Sequence, residues 1–345
     1  MSAPILELRH VGKIFSQRQD LIERTLGLLT RTPPAAGVHA VNDVSLSVAP
    51  GKVIGIVGES GCGKSTLARV VAQLIPATQG EVFYRGQDLA KLDAAARRRM
   101  ALEIQMVFQN PYASLNPRKR IGDIIMEAPL VHGITPARER DKRLAELLAM
   151  VGLDMSAAQR FPHQFSGGQR QRVGIARALA VKPKMLICDE SVAALDVSIQ
   201  AQILNLLMDL KEREQLTYLF ISHDLGVVEH ICDEVVIMYL GRVVEHASTE
   251  EIFSQPRHPY TQALLAAVPR LEEGKRAYQP VEGEIPSPLN PPSGCHFNPR
   301  CPHAMPRCRS EVPLLREVSM RHQAACHLND LNPQRESAID QGEPA

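Results

Sequence analysis

The sequence predicts an α/β fold. A mostly parallel sheet is expected at its centre, with an antiparallel β subdomain, an inserted α-helical subdomain and a small cysteine-containing C-terminal extension. Three observations predict it. Short apolar runs alternate with helical stretches, the glycine-rich segment GESGCGKST lies between one such run and a helix, and four of the seven cysteines gather in the last fifth of the 345 residues. Strands separated by helices pair in parallel and are covered on both faces, so they read as continuous apolar runs rather than alternating ones.

In chain order, Ile5 to Val11 alternates as a half-buried strand does. The stretch FSQRQDLIERTLGLLTRTPPAAG then reads as an insertion, either one short helix through Leu21, Ile22 and Leu26 or a solvated loop with apolar anchors. Strand-like segments resume at HAVNDVSLSV and KVIGIVG, followed by a helix from Lys64 through Leu74 and a hairpin in GEVFYRGQDL. The runs IQMVF, MLICD and YLFIS are buried strands. Several helical stretches between Ile121 and Val181 exceed what one plain nucleotide fold needs, so a helical subdomain is expected there. Composition shifts at Gln255. The segment RHPYTQALLAAVPR reads as a short helix ending near Pro269, and QPVEGEIPSPLNPPSG is too rich in proline for regular structure. The expected division is therefore 1–255 for the main domain, 256–331 for the extension and 332–345 for a polar, disordered tail.

Composition excludes some functions. A net charge of +1, an aromatic content of 4 % and the absence of Trp argue against a nucleic-acid binder, which needs cations for phosphates and aromatic faces for bases. The N-terminus shows no basic n-region and apolar h-region, and no window approaches the roughly eighteen apolar residues of a membrane span. A cytosolic setting is expected, where thiols stay reduced.

The segment Gly58 to Thr66 has the form G-x-x-x-x-G-K-[ST], in the strand–loop–helix context that motif requires. Its glycines (Gly58, Gly61, Gly63) let backbone N–H groups around Ser60 and Cys62 turn inward on a phosphate, and the following helix points its positive end at the same place. Lys64 is expected to reach the β- and γ-phosphates and Ser65 to ligate Mg²⁺. In KMLICDE the strand ends in two acids. Asp189 is expected to hold Mg²⁺ and Glu190 to orient and deprotonate the attacking water.

QFSGGQRQRVGIARAL, Gln164 to Leu179, resembles the signature motif of ATP-binding-cassette (ABC) ATPases. The resemblance extends to ALD ending at Asp196, to FISHD with His223, and to VFQNPYASLNP with Gln109, all in the family's order over about residues 3–250. It implies ATP and Mg²⁺ as cofactors and two subunits closing head to tail over two nucleotides. Ser166, Gly167, Gly168 and Gln169 would then bind the γ-phosphate held by the other subunit, and His223 the γ-phosphate of its own. Gln109 would join the nucleotide and its Mg²⁺ to the coupling surface. Phe15 is the candidate for stacking on adenine, with a buried core Phe as the alternative. The chain departs from the family pattern at Phe165, where Leu is commoner, and at Ser191 and Ala193, where Pro and Ser are. None of these removes a catalytic group.

One cassette without a heptad stretch separates this chain from soluble translation- or repair-type ABC proteins and favours a transporter subunit. HPYTQALLAAVPR and GEIPSPLNPPSGCHFNPRCPHAMPRC resemble the C-terminal extension of dipeptide and oligopeptide importer ATPases, closer to the second of the two ATPase subunits. The resemblance implies a heterodimer with a sister ATPase at the cytoplasmic face of the membrane, two transmembrane permease subunits and an extracytoplasmic substrate-binding protein. Related importers take nickel or glutathione, so cargo stays open.

Cys295, Cys301, Cys308 and Cys326 follow the spacing C-x5-C-x6-C-x17-C, which lacks the C-x2-C pair of a strong zinc site. Four thiolates suit a [4Fe–4S] cluster, and the resemblance favours one, since some peptide-importer ATPases carry it in this extension. Zinc, with His296, His303, His322 or His327 as substitutes, and simple packing remain the alternatives. Cys62, Cys188 and Cys232 read as structural.

Overall fold

The computed structural model describes residues 3–15, 37–109, 114–267 and 283–331. The expectations for the 16–38 insertion, the Pro269 helix end and the tail from 332 lie wholly or mostly outside these residues. Strands β1 (Leu6–Phe15), β2 (Val38–Val48), β3 (Val53–Val57), β4 (Gln79–Tyr84), β5 (Gln87–Asp88) and β6 (Ile104–Val107) come first, with helices α1 (Lys64–Val71) and α2 (Ala94–Glu103) among them. Helices α3 (Ile121–Val131), α4 (Arg140–Met150) and α5 (Gly167–Leu179) follow. Then come β7 (Met185–Asp189), α6 (Val197–Glu214), β8 (Thr217–Ser222), α7 (Leu225–Ile231), β9 (Glu234–Tyr239) and β10 (Arg242–Ser248). The C-terminal part holds α8 (Thr249–Ser254), α9 (Pro259–Ala266), α10 (Pro306–Ser310), β11 (Arg316–Ser319) and β12 (His322–Ala324). Helix α1 stops short of Leu74 because Gln73 adopts a left-handed φ of 57°.

A four-stranded antiparallel sheet runs β2-β1-β4-β5, and an eight-stranded sheet runs β11-β12-β10-β9-β3-β8-β7-β6. The five strands from β9 to β6 are parallel, as continuous apolar runs require. Their side chains divide between two cores. Val53 and Val57 of β3 and Tyr218 and Phe220 of β8 join the cluster shared with the helical subdomain. The intervening Ile54, Ile56, Leu219 and Ile221 join the cluster shared with the antiparallel sheet. In the subdomain, Ile121, Ile124 and Ile125 of α3 and Leu144, Leu147 and Leu148 of α4 present the spacing of a buried helical stripe, and these helices pack on α5.

The extension joins the main sheet. Strand β12 pairs antiparallel with β10, and β11 with β12. Beneath that edge the Glu245 carboxylate, fully buried, accepts from the backbone N–H of Arg257 (2.5 Å) and His258 (3.0 Å) and lies 2.7 Å from His322 Nε2. A buried carboxylate keeps its place only when its oxygens are hydrogen-bonded. Tyr239, Tyr260 and Phe297 close the junction, with ring centroids 4.7–5.3 Å apart. The described part of the proline-rich segment, from residue 283 to 294, forms neither helix nor strand.

Candidate functional site

Register places the chemistry. In the sheet, Val57 lies opposite Ser222, and Ile221 opposite Asp189, so β3, β8 and β7 end in one row. The residues that follow those ends, Gly58 to Lys64, His223 and Glu190, therefore meet at the carboxyl edge of a parallel sheet, where such folds bind ligands.

Ser65 Oγ donates to Asp189 Oδ1 at 2.7 Å, bringing the two expected Mg²⁺ ligands together. Burial pushes the Asp189 carboxyl above its ordinary value; the Ser65 bond, Arg69 and Lys64 oppose that rise, while Glu190 adds to it. A hydroxyl and one carboxylate are the hard oxygen donors that Mg²⁺ takes from protein when phosphates and water complete its shell. Gln109 Nε2 donates to Glu190 Oε2 at 2.5 Å, and His223 Nδ1 lies 3.6 Å from Glu190 Oε1. The three expected catalytic side chains thus meet at Glu190. Residues 110–113 of the loop that Gln109 opens lie outside the described residues. His223 is fixed between the end of β8 and Asp224, whose carboxylate caps α7 through the N–H groups of Gly226 and Val227.

Lys64 is buried and donates to the carbonyls of Gly58 (2.7 Å) and Glu59 (3.0 Å). Gly63 is the N-cap of helix α1, with φ of 106° and no side-chain cap, so the helix's first N–H groups are left to the phosphate loop. A Cβ on Gly63 would sit 2.0 Å from the Ala40 carbonyl oxygen, so no other residue fits there. Ser60 and Gly61 are exposed, Thr66 is half-buried, and Cys62 is buried with its thiol pushed up by that burial.

Ser166 and Gln169 form a capping box at the start of α5. Ser166 Oγ accepts from the Gln169 N–H (3.3 Å), and the Gln169 side chain accepts from the Ser166 N–H (3.1 Å). Among the described residues no hydrogen bond or ion pair joins Ser166–Gln169 to the phosphate loop. Phe165, the departure from the family pattern, is buried under the Arg160 guanidinium, 4.3 Å from its ring. Asp196 is exposed at the start of α6. Phe15 is 43 % exposed, with Lys13 Nζ 5.2 Å from its ring, and so is not a core residue.

Residues 41–193 match the ABC transporter family, and residues 244–308 match the oligopeptide/dipeptide transporter C-terminal region. The oligopeptide transport ATP-binding protein AppF of Bacillus subtilis is 50 % identical over 328 residues, 94 % of this chain and 97 % of AppF. The chain belongs to the ABC transporter ATP-binding proteins of the oligopeptide and dipeptide family. The dipeptide transport ATP-binding protein DppF of Escherichia coli is 49 % identical over 304 residues, 88 % of this chain and 91 % of its own. Among solved structures, CbiO1 of Clostridium perfringens, part of the ABC transporter complex CbiONQ, superposes with a TM-score of 0.61 at 26 % identity, covering 74 % of this chain and 92 % of that one. An ATP-binding cassette solved as a dimer in a post-hydrolysis state with ADP and phosphate gives 0.60 at 29 % identity, covering 71 % and 98 %. Like those neighbours, this member of the family has an ABC ATPase fold, and no helix among its described residues is long and apolar enough to cross a membrane.

All seven cysteines of this ABC ATPase are free, and four of them lie in the extension. Cys295, Cys301, Cys308 and Cys326 line one hollow, together with His258, His303 and His327, with room for about one water molecule. Burial, reinforced by the neighbouring thiols, pushes Cys295 up to about 11 and Cys326 up to about 12. Among the described residues no three His, Cys, Asp or Glu are arranged to hold a metal ion, so the expected four-thiolate ligand set is not formed although the four cysteines line the same hollow.

Sequence reasoning missed three residues at the phosphate loop. Arg300 reaches the Glu59 carboxylate with two bonds of 2.7 and 3.0 Å, and the Glu59 N–H donates to Tyr260 Oη at 2.9 Å. Separations of 241 and 201 residues leave no local pattern to read.

Proposed function

We propose that this chain hydrolyses ATP to energise import of di- and oligopeptides through a membrane ABC transporter. The observation that carries the reading is the meeting of Ser65 with Asp189, and of Gln109 and His223 with Glu190, around a phosphate loop. The names of the curated relatives supply the cargo class. Lys64 and the N–H groups of residues 58–66 hold the phosphates, Ser65 and Asp189 hold Mg²⁺ with Gln109 adjoining, and Phe15 stacks on adenine. Glu190 holds a water against the γ-phosphorus and takes its proton as the new O–P bond forms. The bond from that phosphorus to the β,γ-bridging oxygen breaks, and ADP leaves. His223 steadies the γ-phosphate, and Mg²⁺ supplies charge neutralisation.

The capping box of Ser166, Gly167, Gly168 and Gln169 serves the nucleotide of a sister ATPase, with Asp196 at the same head-to-tail face. That no hydrogen bond or ion pair among the described residues joins it to this chain's own phosphate loop supports that assignment. The pair works beneath two permease subunits at the cytoplasmic face, fed by an extracytoplasmic binding protein. In a strain lacking this chain, di- and oligopeptide uptake is expected to stop and to return with the wild-type chain but not with Lys64→Ala. Undiminished peptide uptake with loss of nickel or glutathione uptake contradicts the cargo assignment.

The extension, residues 256–331, takes a [4Fe–4S] cluster on Cys295, Cys301, Cys308 and Cys326. What supports this is the donor chemistry: four free cysteines line one hollow, which would have to widen to admit a cluster. Bound there, a cluster contributes folding free energy. Anaerobic purification is expected to give about four irons and four sulfides per chain, lost in Cys301→Ser. Stoichiometric zinc, or no metal, contradicts it.

A further inference from the structure

Glu59 stands inside the phosphate loop, one residue after Gly58. Arg300 meets it with a two-pronged ion pair, Nη1 to Oε2 at 2.7 Å and Nη2 to Oε1 at 3.0 Å. The Arg300 side chain is only 3 % exposed, and Glu59 raises the affinity of its guanidinium for the proton. Its carbon Cζ also lies 5.8 Å from the Tyr239 ring centroid and 6.0 Å from that of Phe297. The Glu59 backbone is held as well, its N–H by Tyr260 Oη (2.9 Å) and its carbonyl by Lys64 Nζ (3.0 Å). Two of these holds come from residues C-terminal to 255.

Arg300 is the last residue of the 3-10 turn Asn298–Arg300, which lies between Cys295 and Cys301. That turn is tied down at its start: Asn298 N–H donates to the Cys295 carbonyl (2.9 Å), and Cys295 N–H to the Cys308 carbonyl (2.8 Å). The same segment carries Phe297 into the buried aromatic cluster. The guanidinium that holds Glu59 thus sits on a turn flanked by two of the four clustered cysteines, Cys295 and Cys301.

We propose that Arg300 is a positioning residue for ATP: it neutralises and orients Glu59, so the affinity of the phosphate loop depends on the state of the cysteine-bearing extension. The proposal rests on the ATPase reading. An uncompensated carboxylate in this loop would face an incoming polyanion and leave a partly buried charge without its partner. Arginine suits the task because its fork matches a carboxylate with two bonds at once.

The test is Mg²⁺–ATP binding to the full-length chain, measured by calorimetry alongside the unfolding midpoint. Arg300→Gln is expected to weaken ATP binding roughly tenfold, and Arg300→Lys to recover it to within about threefold of wild type. In a Glu59→Gln background the Arg300→Gln loss is expected to shrink below about threefold, because the carboxylate it acts through is gone. Cys301→Ser is expected to weaken ATP binding in the wild-type background and to have little further effect in Glu59→Gln/Arg300→Gln. An Arg300→Gln loss of equal size with Glu or Gln at position 59, or a change in unfolding midpoint with ATP affinity untouched, overturns the role of Arg300. A Cys301→Ser loss that persists undiminished in the double variant overturns the link to the extension. These comparisons read the coupling whether or not the cysteines carry metal. Failure of the wild-type chain to bind ATP would instead sink the ATPase reading, and this proposal with it.

Discussion

Glu190 shows how single residues are set for chemistry. It holds a left-handed φ of 46°, a conformation disfavoured for a side chain of its size, and its N–H is tied to the Ile221 carbonyl at 3.0 Å. Strain of this kind gathers at functional sites and persists only where the surroundings enforce it. Gly168 is constrained from the opposite direction. A Cβ there would sit 2.4 Å from Ile199 Cγ2, whereas on Gly167 it would make ordinary contact, 3.5 Å from Leu195 Cδ2. Gly168→Ala is therefore expected to cost about 1–3 kcal/mol of stability by overpacking, and Gly167→Ala markedly less. Denaturant unfolding of the two variants compares them directly, and equal losses would contradict the packing account. Residue-scale chemistry was largely legible in the sequence, because Lys64, Ser65, Asp189, Glu190 and His223 each stand at a strand end or loop with its own local signature. Arg300 was not, because an arginine directly after an Asn-Pro carries no mark of a partner 241 residues away.

At the scale of elements, α9 begins at an unusual cap. His258 Nδ1 accepts from the Tyr260 N–H at 3.0 Å, which requires the unprotonated nitrogen. Burial pushes His258 down to about 4, against an opposing pull from Glu245, and burial with the charge of Arg242 pushes His296 down to about 4. Unfolded histidines take up protons as pH falls through about 6.5, while these folded ones resist until about 4. The unfolded state then binds more protons, so stability falls as pH drops across that window. The unfolding midpoint is expected to decline between pH 6.5 and 4, and His258→Asn, which keeps an acceptor at the cap without titrating there, to flatten the decline. An identical pH profile in that variant would contradict the assignment. Strands and helices were readable from period and turn residues. The end of α1 at Val71 was not, since nothing local announces that Gln73 turns left-handed.

The whole molecule joins two regions that the sequence separates. Its C-terminal part read as a small extension with a proline-rich segment lacking regular structure, yet β12 hydrogen-bonds to β10 and Phe297 lies in the same buried cluster as Tyr239 and Tyr260. Long-range strand pairing of this kind leaves no periodic trace, which is why the cassette was legible and the docking of the extension was not. The consequence is an ATPase whose phosphate loop is held partly by its own C-terminal region. The hydrolytic mechanism itself turns on Glu190 as the group that activates water. The decisive comparison is ATP turnover and ATP binding in the assembled transporter carrying Glu190→Gln. Turnover should fall by at least about a hundredfold with ATP binding retained; turnover near the wild-type rate would contradict the role of Glu190 and the mechanism built on it.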